Sequence, residues 1–149
     1  MTESVFVDRS VWIDHLRGKA TPETIALRGL LDALDPDQAS SDPADVLVGD
    51  LVLLEVLRGI ADDEQHDTTR DVLLAFPQVR IGGTATALAA ADHYRSLRRR
   101  GVTVRKSVDC LIAAWCIARG VLLLHADRDF APFAEHCGLR VYEAAAGRS

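Results

Sequence analysis

The sequence is short of several things, and each shortage narrows what it can be. It has three cysteines, Cys110, Cys116 and Cys137. The number is odd and no CxxC or Cys/His spacing occurs, which argues against a disulfide framework or a zinc site. The plain reading is buried free thiols in a reducing compartment, hence a cytoplasmic location. No basic stretch followed by a long apolar one opens the chain, so no signal peptide is expected. No long apolar run occurs either. Leu111 to Ala118 falls far below the ~20 residues needed to cross a bilayer, so no membrane association is expected. Positive charge is not in excess: the formal net charge is -5, whereas nucleic-acid binders are usually basic. That objection weakens if several acids are consumed as metal ligands, because a bound cation inverts the local sign. There is no internal repeat and no clear linker. One domain over residues 1–143 is expected, with 144–149 a short flexible tail.

What is present is enough apolar material for one sizeable core. The chain has 149 residues, 48% of them hydrophobic and 26% charged, which speaks against wholesale disorder. Short apolar runs alternate with helical patterns. Val5 to Val7 reads as a strand, followed by a short helix capped by Ser10 and stopped at Gly18. Thr21-Pro22-Glu23 opens a second helix with Ile25, Leu27, Leu30, Leu31 and Leu34 on its apolar side. Residues 35–45 read as a mobile loop. Val46 to Val48 is a strand, and Asp50 caps a helix to about Gly59. Polar residues 62–67 precede a helix over 69–76, then a strand over 79–81. Thr84 caps a long helix with Leu88, Ala90, Ala91, Tyr94 and Leu97 as its apolar face, ending at Gly101. Ser107 to Arg119 is an apolar helix closed by Gly120. Residues 121–124 are a strand, 130–137 a helix and 139–142 a last strand. This alternation predicts an α/β fold: a single domain with a central, mostly parallel sheet flanked by helices on both faces. In such sheets ligands gather at the carboxyl ends of the strands.

Four acids stand at the edges of apolar segments: Asp8, Glu55, Asp109 and Asp127. Ionised carboxylates are seldom buried without compensation. Four in such settings suggest one shared compensator, a divalent metal held by oxygen ligands. Asp8 and Asp127 each follow a strand, so the topology brings them to one sheet edge. Asp109 has Ile112, Ala113 and Cys116 at i+3, i+4 and i+7, which puts it on a core-facing stripe. No cationic partner for the four is apparent in the sequence. Each acid has a plainer reading. Asp109 near a helix start is favoured by the free amides there. Glu55 could be solvated or paired with Arg58. Either Asp127 or its neighbour Asp129 could cap the helix beginning at Phe130. The argument lies in the set.

These residues also resemble a known family. Val7-Asp8-Arg9-Ser10-Val11-Trp12-Ile13-Asp14, Glu55-Val56-Leu57-Arg58-Gly59, Asp109-Cys110-Leu111-Ile112-Ala113-Ala114 and Asp127-Arg128-Asp129-Phe130 look like PIN-domain ribonucleases, above all the VapC-type toxins of toxin–antitoxin modules. The likeness runs over about the whole chain, in the family's order. It implies a metal-dependent endoribonuclease that hydrolyses RNA with Mg2+ or Mn2+. Asp8, Glu55, Asp109 and Asp127 map onto the family's acidic quartet, and Ser10 onto the hydroxyl residue two positions after the first acid. Asp8 and Asp109 would be the central ligands, with Glu55 and Asp127 completing the site directly or through water. Asp129 is a secondary candidate. The resemblance also implies a small antitoxin protein that blocks the site, and a homodimer. His125 departs from the pattern, standing where Thr or Ser is common.

Arg98, Arg99 and Arg100 form the densest basic cluster. They either complement a helix dipole or contact RNA phosphates, with Arg95 and Arg105 extending the patch. The rival readings are non-enzymatic. A receiver-like signalling module would need a lysine after a late strand, and the only lysines are Lys19 and Lys106. An interaction protein on the same fold would be expected to lack one of the acids.

Overall fold

A computed structural model describes residues 3–37 and 44–143. The tail 144–149 and much of the loop expected over 35–45 lie outside those residues. Strand β1 (Glu3–Val7) is the centre of the sheet, and its Val5, Phe6 and Val7 are fully buried. Its neighbours are β2 (Ala44–Gly49) on one side and β4 (Leu122–Leu124) on the other, with β3 (Gln78–Val79) beyond β2. All pairings are parallel, with Phe6 opposite both Leu47 and Leu123. A run buried on both sides explains why β1 and β4 read as unbroken apolar segments rather than alternating ones.

The order β3-β2-β1-β4 decides where the site lies. The chain steps outward from β1 to β3, then returns across the sheet to place β4 against the other side of β1. Right-handed crossovers put the connecting helices of the two directions on opposite faces. Between β1 and β4 the chain therefore leaves in opposite directions, and in open α/β sheets ligands bind at the carboxyl ends of such a pair. Helices α1 (Arg9–Leu16), α2 (Pro22–Ala33), α3 (Asp50–Leu57) and α4 (Asp63–Leu74) belong to the outward path. Helices α5 (Thr84–Arg99) and α6 (Ser107–Arg119) make the return, and α7 (Ala131–His136) follows β4. Helix α6 is buried over Asp109, Cys110 and Ile112 to Cys116. Burial around most of its girth is why its sequence is apolar nearly all round. Gly120, at φ 64°, ends it in the left-handed region that favours glycine.

The helix starts differ from the sequence reading in a consistent way. Asp8, not Ser10, caps α1, and Gly49 and Gly83 stand at the cap positions expected of Asp50 and Thr84. Asp50 instead accepts hydrogen bonds from the Leu51 and Ile81 amides, at 3.0 and 2.9 Å, tying the end of β2 to the chain after β3. Helix α4 begins six residues earlier than expected because Asp62 caps it and Asp63 and Glu64 suit its positive end. The last strand is reduced to a single bridge between Leu123 and Val141. The helix expected over 130–137 is split into a 3-10 turn (Arg128–Phe130) and α7. Ile25, Leu34 and Leu88, expected on apolar faces, are exposed.

Gly49 holds the second crossover tight against the first strand. A Cβ there would lie 2.6 Å from Phe6 Cζ, closer than packed atoms tolerate, so the turn into α3 needs a residue without one. Phe6 in turn packs on Trp115, ring centroids 5.8 Å apart. Trp12 packs on Phe76 at 5.6 Å, and both tryptophans are buried. Their role is core packing. Among the described residues no helix is long and apolar enough to cross a membrane. The three cysteines are free; Cys110 and Cys116 are buried and Cys137 is half-buried.

Candidate active site

Asp8 leaves the end of β1 and is only 1% exposed. Its amide donates to the Leu124 carbonyl at 3.0 Å, which sets it beside the end of β4. One carboxylate oxygen, Oδ2, accepts from the Ser10 amide at 3.2 Å and the Ser10 hydroxyl at 2.7 Å. The Ser10 hydroxyl also accepts from the Ala126 amide at 3.1 Å. Ser10 thus fixes the rotamer of Asp8 and ties it to the loop after β4. The other oxygen of Asp8, Oδ1, is buried with no hydrogen-bond partner among the described residues.

Asp109, the third residue of α6, is likewise 1% exposed, and its Oδ2 is also buried and unpartnered. Burial, together with the charge on Asp8, pushes its carboxyl up to about 7. Glu55 projects from α3. Its Oε1 is buried without a partner, while Oε2 lies 3.1 Å from Arg9 Nε. Burial raises the Glu55 carboxyl, against the pull of Arg9. Three carboxylates therefore each present a desolvated oxygen that no donor among the described residues satisfies. Such atoms cost about 1–3 kcal/mol apiece, more when charged.

Asp127 stands in the loop after β4, and both of its oxygens are taken. Oδ1 accepts from the Asp129 amide at 2.9 Å, capping the 3-10 turn, and Oδ2 accepts from Lys106 Nζ at 2.8 Å. Burial alone would raise the Asp127 carboxyl, but these hydrogen bonds outweigh it and hold it below the usual range. Lys106 is correspondingly raised, first by its hydrogen bond to Asp127. Oxygens of Asp109, Asp127 and Asp129 lie within 4.8 Å of one another, close enough to share a cation. Asp8 joins them electrostatically, since its charge raises both Asp109 and Glu55.

The structure thus brings Asp8, Glu55, Asp109 and Asp127 to the carboxyl ends of β1 and β4, with Ser10 in their midst. It also promotes Asp129 from a neighbour in sequence to a member of the tightest carboxylate group. One expectation is corrected. The four acids are not without cationic partners, because Arg9 faces Glu55 and Lys106 faces Asp127. Arg9 was concealed by its place next to Asp8. Lys106 stands three residues before Asp109, a spacing that means nothing until α6 turns it back toward the loop after β4. His125, the departure from the family pattern, supports the loop after β4. Its Nδ1 accepts from the Asp127 amide at 3.2 Å, and its ring packs on Phe130 at 4.9 Å. Burial lowers its pKa against the pull of Asp8 and Asp127. A neutral ring accepting at Nδ1 is a fixed prop for the loop and has no proton there to give.

Arg98 and Arg99 end α5 and Arg100 caps it, all three exposed. Arg98 and Arg99 line one concavity with Tyr94 and Arg95. Arg95 also borders an adjoining groove with Ser107, Cys110 and Leu111, the residues around Asp109. The basic patch therefore runs toward the start of α6.

Comparison with known proteins follows the same lines. A family model described as "PIN domain" matches residues 5–135. A VapC ribonuclease of Mycobacterium bovis is 32% identical over 126 residues, covering 85% of this chain and 88% of that protein. Ribonuclease VapC11 of Mycobacterium tuberculosis matches at the same identity and coverage. Among solved structures, VapBC2 from Rickettsia felis bound to a DNA fragment from its promoter superposes with a TM-score of 0.69. It has 15% identity and covers 93% of this chain and 97% of that one. FitAcB from Neisseria gonorrhoeae superposes at 0.66 with 17% identity, covering 93% of this chain and 96% of that one. At those identities the likeness is one of fold.

Proposed function

The chain belongs to the PIN-domain family as a ribonuclease toxin of a toxin–antitoxin module, and from that footing we propose that its hydrolysis of RNA is metal-dependent and runs on Asp8, Glu55, Asp109 and Asp127. The observation that carries this is the set of buried, unpartnered oxygens on Asp8, Glu55 and Asp109. They are hard, desolvated oxygen donors, and the charge of Asp8 acts on both Asp109 and Glu55; this is the ligand chemistry that Mg2+ and Mn2+ take. Asp8 and Asp109 would be the central ligands, with Glu55 and Asp127 completing the site directly or through water. A bound ion would supply a water of lowered pKa and offset the charge that develops on the phosphoryl group. The protein's own residues do the rest. Ser10 holds Asp8 in one orientation, Arg9 restrains Glu55, and His125 props the loop that carries Asp127 and Asp129. A signalling module on this fold is set aside by the family.

The test uses purified protein and total cellular RNA, with and without Mg2+, and maps the new ends. Discrete ends are expected only with the ion. The same ends in a chelator would overturn metal dependence while leaving the nuclease in place. A small antitoxin protein as inhibitor, a homodimer and a cytoplasmic location belong to the same proposal. Co-purification from the native host is expected to yield the inhibitor, and sedimentation of the chain a dimer.

The arginine patch is proposed to hold phosphates flanking the cut. The Arg95 side chain borders the groove that reaches Ser107, and this favours the reading over dipole compensation alone. Replacing Arg98 and Arg99 by alanine is expected to weaken RNA binding for every sequence tested. The salt dependence should flatten by about one unit of slope per lost contact. Unchanged affinity with a lower melting temperature would assign the pair to the helix end, worth about 0.3–1 kcal/mol each.

A further inference from the structure

The acidic cluster is uneven. On one side, Asp8 Oδ1, Glu55 Oε1 and Asp109 Oδ2 are buried and have no partner. On the other, both oxygens of Asp127 are spent, one on the Asp129 amide and one on Lys106. Lys106 Nζ lies 2.8 Å from Asp127 Oδ2 and 3.8 Å from Asp129 Oδ2. It therefore bridges two of the three carboxylates whose oxygens come within 4.8 Å of each other. Among the described residues that trio has its oxygens close enough to share an ion, and the ammonium is already there.

Its position is built by the backbone. Lys106 is the N-cap residue of α6, extended at φ -115° and ψ 116°, and the helix then places Asp109 one turn further on. A lysine ammonium is a compact charge with three donors, able to serve two carboxylates at once. Being tethered, it competes at high effective concentration with any free cation. Mg2+ in addition gives up its waters reluctantly and gains little from a half-site in which both Asp127 oxygens are already engaged.

Resting on the metal-dependent reading above, we propose that Lys106 is a resident second cation: its ammonium fills the Asp127–Asp129 side of the site, so that the protein takes one divalent ion, on the Asp8–Asp109 side, rather than two. In two-ion sites the paired ions stabilise the attacking and leaving oxygens of the displacement. Lys106 supplies positive charge at one of those places without a bound water.

The test counts Mn2+ bound by the full-length chain, from the loss of the free-ion paramagnetic resonance signal and by calorimetry. Wild type is expected to bind one ion, and Lys106→Met two, the second on the vacated side. Lys106→Gln should give the same count as Lys106→Met and guards against loss of fold in that variant. Lys106→Arg, which keeps the charge, should stay at one. Lys106 is exposed, and circular dichroism checks that each variant folds. Equal counts in wild type and Lys106→Met, whether one or two, would overturn the proposal, as would two ions in Lys106→Arg. No Mn2+ bound by any of them would overturn the metal reading itself, and this proposal with it.

Discussion

Asp8→Asn and Asp109→Asn are each expected to abolish RNA cleavage and leave the fold in place. Both side chains are buried, and asparagine matches aspartate in shape, so packing is kept. At position 8 the amide oxygen can still accept from Ser10, which preserves the cap of α1. On the proposed metal-dependent reading, what is lost is the charge that would hold the ion and a ligand oxygen of full strength. Removing one preorganised electrostatic group of this kind costs on the order of 10²- to 10³-fold in rate. Cleavage of a defined RNA at saturating Mg2+ or Mn2+, alongside a melting curve, checks both halves. Wild-type cleavage by either variant would remove that residue from the site. A Ser10→Ala control should lose less, because Ser10 orients Asp8 and does not replace it.

The second large effect falls on stability and has the opposite sign. The Asp109 carboxyl is raised from 3.8 to about 7 in the folded chain without metal. The folded state then keeps a proton that the unfolded state releases between those values. By linkage, the metal-free protein loses stability as pH rises from about 4 to about 7 and levels off above that. Glu55, also raised, adds to the same trend. Asp127, lowered, works the other way. Its contribution is present above the unfolded carboxylate pKa and is lost only as the solution becomes acidic. Asp109→Asn removes the largest of these penalties. In chelator at pH 8 the variant should therefore melt above wild type, and the gap should close toward pH 4. Each ~1 kcal/mol corresponds to about 2–4 °C at this size. Adding Mg2+ at pH 8 should raise the wild type, since binding to the folded state alone stabilises it, and should raise the variant much less. Scanning calorimetry over that pH range reads both effects. Parallel curves for the two proteins, with and without Mg2+, would mean that Asp109 is neither strained without metal nor a ligand.

The acids could be found in the sequence because burial and charge conflict there, and the conflict can be seen in one dimension. A carboxylate at the edge of Val5-Phe6-Val7 or in front of Leu111-Ile112 needs a reason. The alternation of apolar runs and helical patterns likewise foretold the parallel sheet, and the left-handed glycine foretold the end of α6. Helix starts were less legible. Asp8, Ser10, Asp50 and Thr84 are all competent caps by composition, and which one serves depends on where the chain leaves the sheet. The last strand is the exception: Leu139 to Tyr142 has strand-like residues but meets β4 at one bridge only.

By itself, then, the sequence determined which carboxylates lie in apolar settings, that the sheet would be parallel, and that Asp8 and Asp127 would share an edge. These follow from local hydrophobicity and from the rule that parallel strands end on one side. Tertiary structure alone decided the rest. The order β3-β2-β1-β4 made β1 and β4 neighbours and so set Asp8 beside the end of β4. Arg9 and Lys106 became partners of Glu55 and Asp127, Lys106 from 21 residues away. His125 came to prop the loop carrying Asp127 by accepting the Asp127 amide at a ring nitrogen. Which oxygens are satisfied and which are left bare depends on distances between segments remote in the chain, and those distances exist only once the sheet has closed around β1.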